Sequence, residues 1–260
     1  MNTAKFLVAD SHVYNIKKNI NFKKKLMESR SVNPERIVDQ ISYNAGDFLN
    51  ILIKKKKIKK IIQVGANDGQ SDDFLSKSFT HDLQAILIEP IEDAFNNLKK
   101  NYEIFSKVQC LNIAVDIKSD KKNIYSVNPK YYSYYKDKYQ QKSVDWLTIL
   151  SSFSREHLKK HGVQEKHIIA KGIECKTFNQ IINTYNYHDL DLLIVDTEGY
   201  DFTLVNNFIE TVKIKPMIIF EWIHCNEKEI KKLLLKLKSN DYIFFKTGRD
   251  LICMQNNYLF

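Results

Sequence analysis

The sequence lacks the features that mark membrane-spanning, secreted and zinc-binding chains. It has no hydrophobic run of about 18 residues, the minimum for a helix that crosses a bilayer. Its first residues, Met1 to Phe6, show no apolar core of a secretory signal. The four cysteines are scattered without a C-x-x-C pair, which disfavours a zinc site and indicates reduced thiols. These absences predict a globular, cytoplasmic protein without a membrane span.

Composition sets the size of the protein and raises the question of a nucleic-acid partner. The 260 residues are 43% hydrophobic, enough for one large α/β domain with additions or for two small domains. The net charge of +9 invites nucleic-acid binding. However, the lysines are spread through a chain rich in Ile, Asn and Tyr, and the densest run, Lys54 to Lys60, is typical of a solvated helix end. The spread of the lysines along the chain therefore disfavours nucleic acid as the partner and leaves a different anionic partner open.

The first strong motif is an apolar, β-branched run that ends in a glycine loop. Ile61 to Val64 have the pattern of a buried parallel strand, and ligands of open α/β sheets bind beyond the carboxyl ends of such strands. Glycine lets the loop turn tightly and approach a ligand, and a helix beginning near Ser71 points its N-terminus at the same place. The predicted cofactor-binding residues of this loop are Gly65, Ala66, Asn67, Asp68 and Gly69.

The loop chemistry favours a cofactor without phosphate. The spacing G-x-x-x-G omits the central glycine with which a G-x-G-x-x-G loop accommodates a pyrophosphate, and Asp68 would repel a phosphate. S-adenosylmethionine, which carries an ammonium and a carboxylate, fits these features. Glu89, followed by Pro90, ends the next predicted strand at the separation where an acid accepts hydrogen bonds from ribose hydroxyls. The alternative is that Glu89 only begins a surface helix.

Strands and helices alternate from residue 61 onward, which predicts a mainly parallel sheet. A C-terminal hairpin closes it, as in a class I methyltransferase fold. We divide the chain into an N-terminal helical extension, 1–58, with a helix start at Asn33-Pro34-Glu35, and a Rossmann-like domain, 59–260. The predicted strands are 61–65, 85–89, 108–113, 191–196 and 217–221, and the predicted helices are 72–79, 92–105, 201–212 and 226–239.

An insertion at 119–170 interrupts this alternation. It contains five tyrosines between Tyr131 and Tyr139, and also Trp146. An insertion between sheet elements is expected to cover the carboxyl edge, where aromatic side chains can stack on a sugar or another flat substrate. The same tyrosines can instead pack as half-buried hydrophobic residues, and the sequence does not separate these interpretations.

Several blocks of the chain resemble FkbM-type methyltransferases. They are Val64–Gly69, Glu89-Pro90, Asn112–Val115, Asp196–Asp201 and Pro216–Glu221. The most specific is D-x-E-G-x-[DE], in which Thr197 and Tyr200 replace commoner small apolar residues. The resemblance implies a methyltransferase that uses S-adenosylmethionine to methylate a hydroxyl of a sugar, glycan or secondary metabolite. In this fold the adenine lies across the third strand end, which makes Asn112, Ala114 and Asp116 further cofactor-binding candidates.

The predicted catalytic residues follow two neighbouring strands at the same edge. Asp196 and Glu198 follow the fourth strand, and Glu221 and His224 follow the fifth. Two mechanisms are open. In the first, one of Asp196, Glu198 and His224 removes the proton of the acceptor hydroxyl directly. In the second, Asp196, Glu198 and Glu221 hold a divalent cation that lowers the pKa of that hydroxyl. The metal-free version is favoured because nothing in the sequence fixes the carboxylate geometry.

Proteins of other classes remain as alternatives. A nucleic-acid methyltransferase would share the fold, but the chain lacks the N-P-P-[YF] block with which enzymes that methylate base amines hold the amine. A non-catalytic binding module is disfavoured because the loop, the ribose acid and the strand-end carboxylates are all present. A dinucleotide oxidoreductase is disfavoured by the glycine spacing.

Overall fold

The computed structural model describes residues 45–70, 75–140, 147, 150–247 and 249–255. A seven-stranded sheet dominates the fold. Its strands are β1 Lys60–Val64, β2 Gln84–Ile88, β3 Val108–Leu111, β7 Leu192–Val195, β8 Met217–Glu221, β9 Ile243–Thr247 and β10 Asp250–Met254. They lie in the order β3-β2-β1-β7-β8-β10-β9; the first five run parallel, and β10 is antiparallel to both of its neighbours. This is the predicted class I methyltransferase architecture, a Rossmann-like sheet closed by a hairpin.

Helices cover both faces of this sheet because neighbouring strand residues point to opposite sides. Ile61 packs into one hydrophobic cluster with Phe48 and Leu49, and Ile62 packs into the other with Phe178 and Phe208. Each fully buried side chain of this size contributes about 1.5–3 kcal/mol. The helices are α1 Ala45–Lys54, α2 Glu92–Asn101, α5 Phe178–Tyr185, α6 Asp201–Thr211 and α7 Glu227–Ser239.

A second, three-stranded sheet of order β4-β6-β5 lies between β3 and α5 in the chain. Its strands are β4 Ala114–Val115, β5 Lys121–Val127 and β6 Ile168–Lys176. The described part of the connection from β5 to β6 contains the short helices α3 Tyr132–Lys138 and α4 Arg155–Lys160 and the 3₁₀ turns Pro129–Tyr131 and Glu165–His167. The predicted insertion is therefore a small sheet with helices of its own, and its last strand continues to Lys176.

The register of the parallel strands sets the position of the site. Val64, the last residue of β1, pairs with Ile88 of β2 on one side and with Val195 of β7 on the other. The N–H groups of Gly65 and Ala66 donate to the Ile88 carbonyl at 2.9 and 3.0 Å. The loops after β1, β2 and β7 therefore leave the sheet side by side, as the alternation of strands and helices predicts.

Some predicted elements differ from the observed ones. The strand predicted at 108–113 splits into β3 and β4, because Asn112 leaves the strand and donates its Nδ2 hydrogens to the carbonyls of Glu89 and Pro90. The helix predicted at 92–105 ends at Asn101, and Tyr102 turns to pack against Phe79. Of the helix predicted at 72–79, residues 72–74 lie outside the described residues, and the described part contains a 3₁₀ turn at Ser76–Ser78.

Other predictions fall partly or wholly outside the described residues. These are the N-terminal extension up to residue 44, the helix start near Ser71, and Trp146. Within the described ranges, no helix is long and apolar enough to cross a membrane.

Candidate active site

The loop after β1 adopts a left-handed backbone at both glycines. Gly65 has φ +80° and Gly69 has φ +71°, and Asn67 between them has φ 48°. A Cβ on Gly65 would lie 1.7 Å from the Asp196 carbonyl oxygen, and one on Gly69 would lie 2.4 Å from the Tyr102 ring. The tight turn is as predicted, but the space beside these glycines is filled by the protein itself rather than kept for a ligand.

The Glu89 carboxylate fixes this loop from the neighbouring strand. Only 6% of the residue is exposed, and its two oxygens accept the N–H groups of Asn67 at 2.9 Å and Ile91 at 2.8 Å. Burial raises the pKa of Glu89 to about 7, although both backbone hydrogen bonds lower it. Each oxygen keeps a second lone-pair site, so the carboxylate can still accept two ribose hydroxyls. The hydrogen-bond acceptors at this strand end therefore fit the ribose hydroxyls of S-adenosylmethionine.

The remaining residues predicted for the adenine end have structural partners. Asn112 supports the loop after β2 as described above, and Ala114 is buried in β4, paired with Cys175. The Asp116 side chain is fully buried and forms an ion pair with Lys122, while its other oxygen accepts the hydroxyl of Tyr200 at 2.7 Å. Burial raises the pKa of Asp116, but these partners outweigh it and leave the pKa below its usual value. Asp116 joins the second sheet to the loop after β7, and its contact with the adenine end of the cofactor stays a prediction.

The D-x-E-G-x-D block after β7 is held by its own last residue. Asp201 begins α6 and accepts the N–H groups of Thr197 and Gly199, both at 3.0 Å. These bonds stabilise a turn in which Glu198 has φ 52° and Gly199 has φ 105°. Burial raises the pKa of Asp201 to about 6. The motif includes Asp201, but the sequence did not predict that Asp201 holds the turn that presents Glu198.

Asp196 lies at this edge, in the loop directly after β7. Its side chain reaches solvent although protein atoms surround it on most sides. Burial, followed by the charge of nearby carboxylates, raises the pKa of Asp196 to about 8. These carboxylates belong to Asp201, Glu221, Glu198 and Asp250. Burial followed by the charge of Glu221 also raises the pKa of Glu198. The edge thus concentrates negative charge, which suits a cofactor with a sulfonium and an ammonium group.

The structure brings Glu198, Glu221 and His224 together, as predicted from the strand order. His224 Nε2 lies 3.1 Å from Glu221 Oε2 and 3.4 Å from Glu198 Oε2. Arg249 contacts the other oxygen of Glu221 at 2.6 Å. One ligand atom of each member of this triad lies within 4.8 Å of the others, the spacing of a metal site. Because His224 Nε2 faces two carboxylates, this nitrogen is a poor candidate for removing a proton from an acceptor.

Sequence reasoning missed three residues near this site. Arg249 and Asp250 come from the C-terminal hairpin, where charged residues are ordinary turn residues. His157 comes from α4, and its ring lies 6.1 Å from the His224 ring. Burial, followed by the neighbouring histidines, lowers the pKa of His157 to about 4. No local pattern identifies these residues, since the folding of the hairpin and the insertion over the sheet edge brings them here.

The tyrosine run of the insertion packs within the insertion. The Tyr135 side chain is fully buried, its hydroxyl lies 2.8 Å from His167 Nδ1, and it accepts the N–H of Gln164 at 2.8 Å. The Tyr131 ring stacks on His167 at 3.7 Å. Among the described residues of the insertion, two reach the site: Phe153, in edge contact with Tyr200, and His157. These contacts favour the packing interpretation for the tyrosines.

The family model for the methyltransferase FkbM domain matches residues 63–244. The chain belongs to the FkbM methyltransferase family. It is therefore an S-adenosylmethionine-dependent methyltransferase of Rossmann-like fold, as the sequence blocks indicated.

Solved structures with a similar fold include three O-methyltransferases. The O-methyltransferase from Bacillus cereus in complex with SAH is 9% identical, covers 90% of this chain and 91% of its own, and has a TM-score of 0.38. The S-adenosylmethionine-dependent O-methyltransferase from Thermotoga maritima is 12% identical, with coverages of 88% and 71% and a TM-score of 0.39. The putative caffeoyl-CoA O-methyltransferase from Staphylococcus aureus is 14% identical, with coverages of 98% and 100% and a TM-score of 0.39. Similarity at this level carries no argument about the acceptor. No curated protein sequence matches the chain.

Proposed function

We propose that this methyltransferase transfers its methyl group to a hydroxyl oxygen, in a sugar, a glycan or another small metabolite. The observation that supports this is the convergence of Asp196, Glu198, Glu221 and His224 next to the loop after β1. A hydroxyl must lose its proton as the new bond forms, and carboxylates beside the methyl donor are suited to receive it. When bound, S-adenosylmethionine supplies an electrophilic methyl group on a positively charged sulfur.

Asp196 is the side chain that we assign to receive the proton. Glu221 is held by Arg249, and both glutamates of the triad lie against His224. Asp196 follows β7 directly, reaches solvent, and has no hydrogen bond or ion pair to its carboxylate within the described residues. It is therefore the acid of the cluster whose oxygens are available to an incoming molecule.

The atoms of the reaction balance in this arrangement. The acceptor hydroxyl would lose its proton to the ionised Asp196 carboxylate as its oxygen takes up the methyl group. Bound S-adenosylmethionine would supply that methyl group and would keep the bonding pair of the broken S–CH₃ bond. Glu198, Glu221 and His224 orient the acceptor, and the chain contributes mainly by holding the oxygen in line with the methyl group.

The cofactor-binding residues that the sequence predicts are part of the same proposal. Glu89 and the loop from Gly65 to Gly69 are assigned to the ribose and methionine parts of the cofactor. The cytoplasmic location and the exclusion of nucleic acid also remain predictions, based on composition and on the missing N-P-P-[YF] block.

The test is methyl transfer from labelled S-adenosylmethionine to a panel of acceptors. The panel contains nucleotide sugars, oligosaccharides, small polyhydroxyl metabolites and single-stranded and structured RNA. We expect label in an alkali-stable ether of a hydroxyl compound, and we expect Asp196→Asn to abolish most of it. Asp189→Asn is the matched control, because Asp189 is an exposed aspartate paired with Lys60 at the other end of β1. Label only in RNA, or equal labelling by Asp196→Asn, would contradict the proposal.

A further inference from the structure

We propose that Glu198, Glu221 and His224 form a binding site for one first-row divalent metal ion such as Mn²⁺ or Zn²⁺. The ligand atoms are Oε2 of each glutamate and Nε2 of the histidine. The proposed function is needed only for the use of the ion, since binding of the ion is measurable without cofactor or acceptor.

The spacing of the three atoms matches one ion at their centre. Ligands bound to one metal at about 2.1 Å, with angles between a right angle and the tetrahedral angle, lie about 3 to 3.5 Å apart. His224 Nε2 lies 3.1 Å from Glu221 Oε2 and 3.4 Å from Glu198 Oε2. The third separation is within 4.8 Å, so a small rotation of the Glu198 side chain completes the set.

Two of these atoms are buried without a hydrogen bond. Glu221 is 6% exposed, and its Oε2 lies 3.1 Å from His224 Nε2, but within the described residues neither atom forms a hydrogen bond. A buried carboxylate oxygen and a buried imidazole nitrogen that lack hydrogen bonds are each costly. A cation between them satisfies both atoms at once.

The surroundings hold the ligands in this orientation. Arg249 contacts Glu221 Oε1 at 2.6 Å and thereby turns Oε2 toward His224. Asp201 accepts the N–H groups of Thr197 and Gly199 and so fixes the loop that presents Glu198. Partners behind the ligands fix their geometry in many metal sites, and here the Glu221 carboxylate has such a partner, while the loop that carries Glu198 is held through its backbone.

A second unpartnered nitrogen lies behind the triad. His157 Nε2 is buried and has no hydrogen-bond partner, and its ring lies 6.1 Å from that of His224. The His157 ring also lies close to the backbone of Gly199, next to Glu198. This second imidazole, supplied by the insertion, lies behind the triad and is not part of the group whose ligand atoms lie within 4.8 Å of one another.

The donor types select among divalent ions. Carboxylate oxygens suit Mg²⁺, Ca²⁺ and Mn²⁺, whereas an imidazole suits Fe²⁺, Zn²⁺ and other later first-row ions, so the mixed set favours a first-row ion over Mg²⁺ or Ca²⁺. Three protein ligands leave coordination positions open, as in catalytic rather than structural sites. An acceptor with neighbouring hydroxyls would occupy those positions. The cation would lower the pKa of the bound hydroxyl, which would then give its proton to Asp196 more readily.

The experiment measures Mn²⁺ binding to full-length protein stripped with EDTA, using the loss of the free-ion electron paramagnetic resonance signal. We expect one Mn²⁺ per chain, displaced by Zn²⁺ but not by an equal concentration of Mg²⁺. His224→Ala and Glu198→Gln are each expected to weaken binding at least about 10-fold. His188→Ala is the matched control, an exposed histidine in the turn before β7, and it should bind like the unaltered protein.

The outcomes separate this inference from the proposed function. Circular dichroism melting checks that each variant folds, and Glu198→Gln is included because Glu221→Gln removes a buried partner of Arg249. No stoichiometric ion, or binding that survives both His224→Ala and Glu198→Gln, means that the triad is an ion-pair network and overturns the proposal. Stoichiometric binding without methylation of any hydroxyl compound instead contradicts the proposed function and leaves the metal site standing.

Discussion

The carboxyl edge of the main sheet and the core of the insertion both bury titratable groups, but they satisfy them differently. In the insertion, the Tyr135 hydroxyl serves His167 and Gln164 at once. At the edge, four other carboxylates raise the pKa of Asp196, and Glu221 Oε2 and His224 Nε2 lie 3.1 Å apart without forming a hydrogen bond. Satisfied buried groups stabilise a fold, whereas unsatisfied ones at a cleft are available for chemistry. The contrast predicts that changes at the edge alter activity and changes in the insertion alter stability.

The largest expected effect is that of Asp196→Asn on turnover. The amide keeps the shape of the side chain but cannot receive a proton, so we expect a loss of about 10²- to 10⁴-fold. Cofactor affinity and the melting temperature should stay near those of the unaltered protein, because no hydrogen bond to the carboxylate is lost. Steady-state rates with the identified acceptor, together with calorimetry of S-adenosylmethionine binding, provide the measurement. Near-normal turnover in the Asp196→Asn, Glu198→Gln double variant would refute the site assignment.

The next largest effect is expected on cofactor affinity, when pH changes the charge of Glu89. Its pKa in the folded chain is about 7 against an ordinary 4.5, so the carboxylate that accepts ribose hydroxyls is lost as pH falls through about 7. We expect affinity for S-adenosylmethionine to fall between pH 8 and pH 6, as measured by calorimetry across this range. Removing the side chain in Glu89→Ala should cost about 2–4 kcal/mol of binding free energy.

The sign for stability is opposite to that for binding. Because folding raises the pKa of Glu89, the ligand-free protein loses stability as pH rises from 4.5 to about 7. Glu89→Gln removes this ionisation, so both the stability and the affinity profiles should become flatter over this window. Profiles of Glu89→Gln that match those of the unaltered protein would assign the titration to another group.

The comparison also explains how much of the molecule the sequence could predict. The observed β8 has the predicted bounds, Met217–Glu221, because a buried parallel strand is a continuous apolar run. Strand β6 gave no such signal, since most of its residues are exposed. Helix α5 was missed although Thr177 and Gln180 form a capping box at its start, a signal that the sequence does contain.

The same reasoning applies to the site. Strand order alone brings Asp196, Glu198, Glu221 and His224 to one edge, so their convergence was predictable from parallel topology. The residues that contact these four side chains and orient them were not predictable. Arg249 and His157 reach the edge only when the hairpin and the insertion fold over it, and local periodicity does not encode such contacts between distant segments.

A smaller effect is expected in the insertion, where Tyr135→Phe should affect stability alone. The change leaves His167 Nδ1 and the Gln164 N–H without their partner, which should lower the free energy of unfolding by about 1–3 kcal/mol. Chemical denaturation measures this loss. Turnover and cofactor affinity below the unfolding transition should stay unchanged, and a selective loss of acceptor binding would show instead that the tyrosines line the substrate path.

The smallest effect is expected for Tyr134→Phe, the matched control within the same helix. The Tyr134 hydroxyl also contacts Gln164, accepting from its Nε2 at 2.8 Å, but the residue is 42% exposed. Water replaces that hydrogen bond when the hydroxyl is removed, so the free energy of unfolding should change by less than about 0.5 kcal/mol. Denaturation of the two variants side by side therefore isolates burial as the cause. Equal losses for Tyr134→Phe and Tyr135→Phe would show that the hydroxyls stabilise the helix itself, and that the buried pair with His167 has no special role.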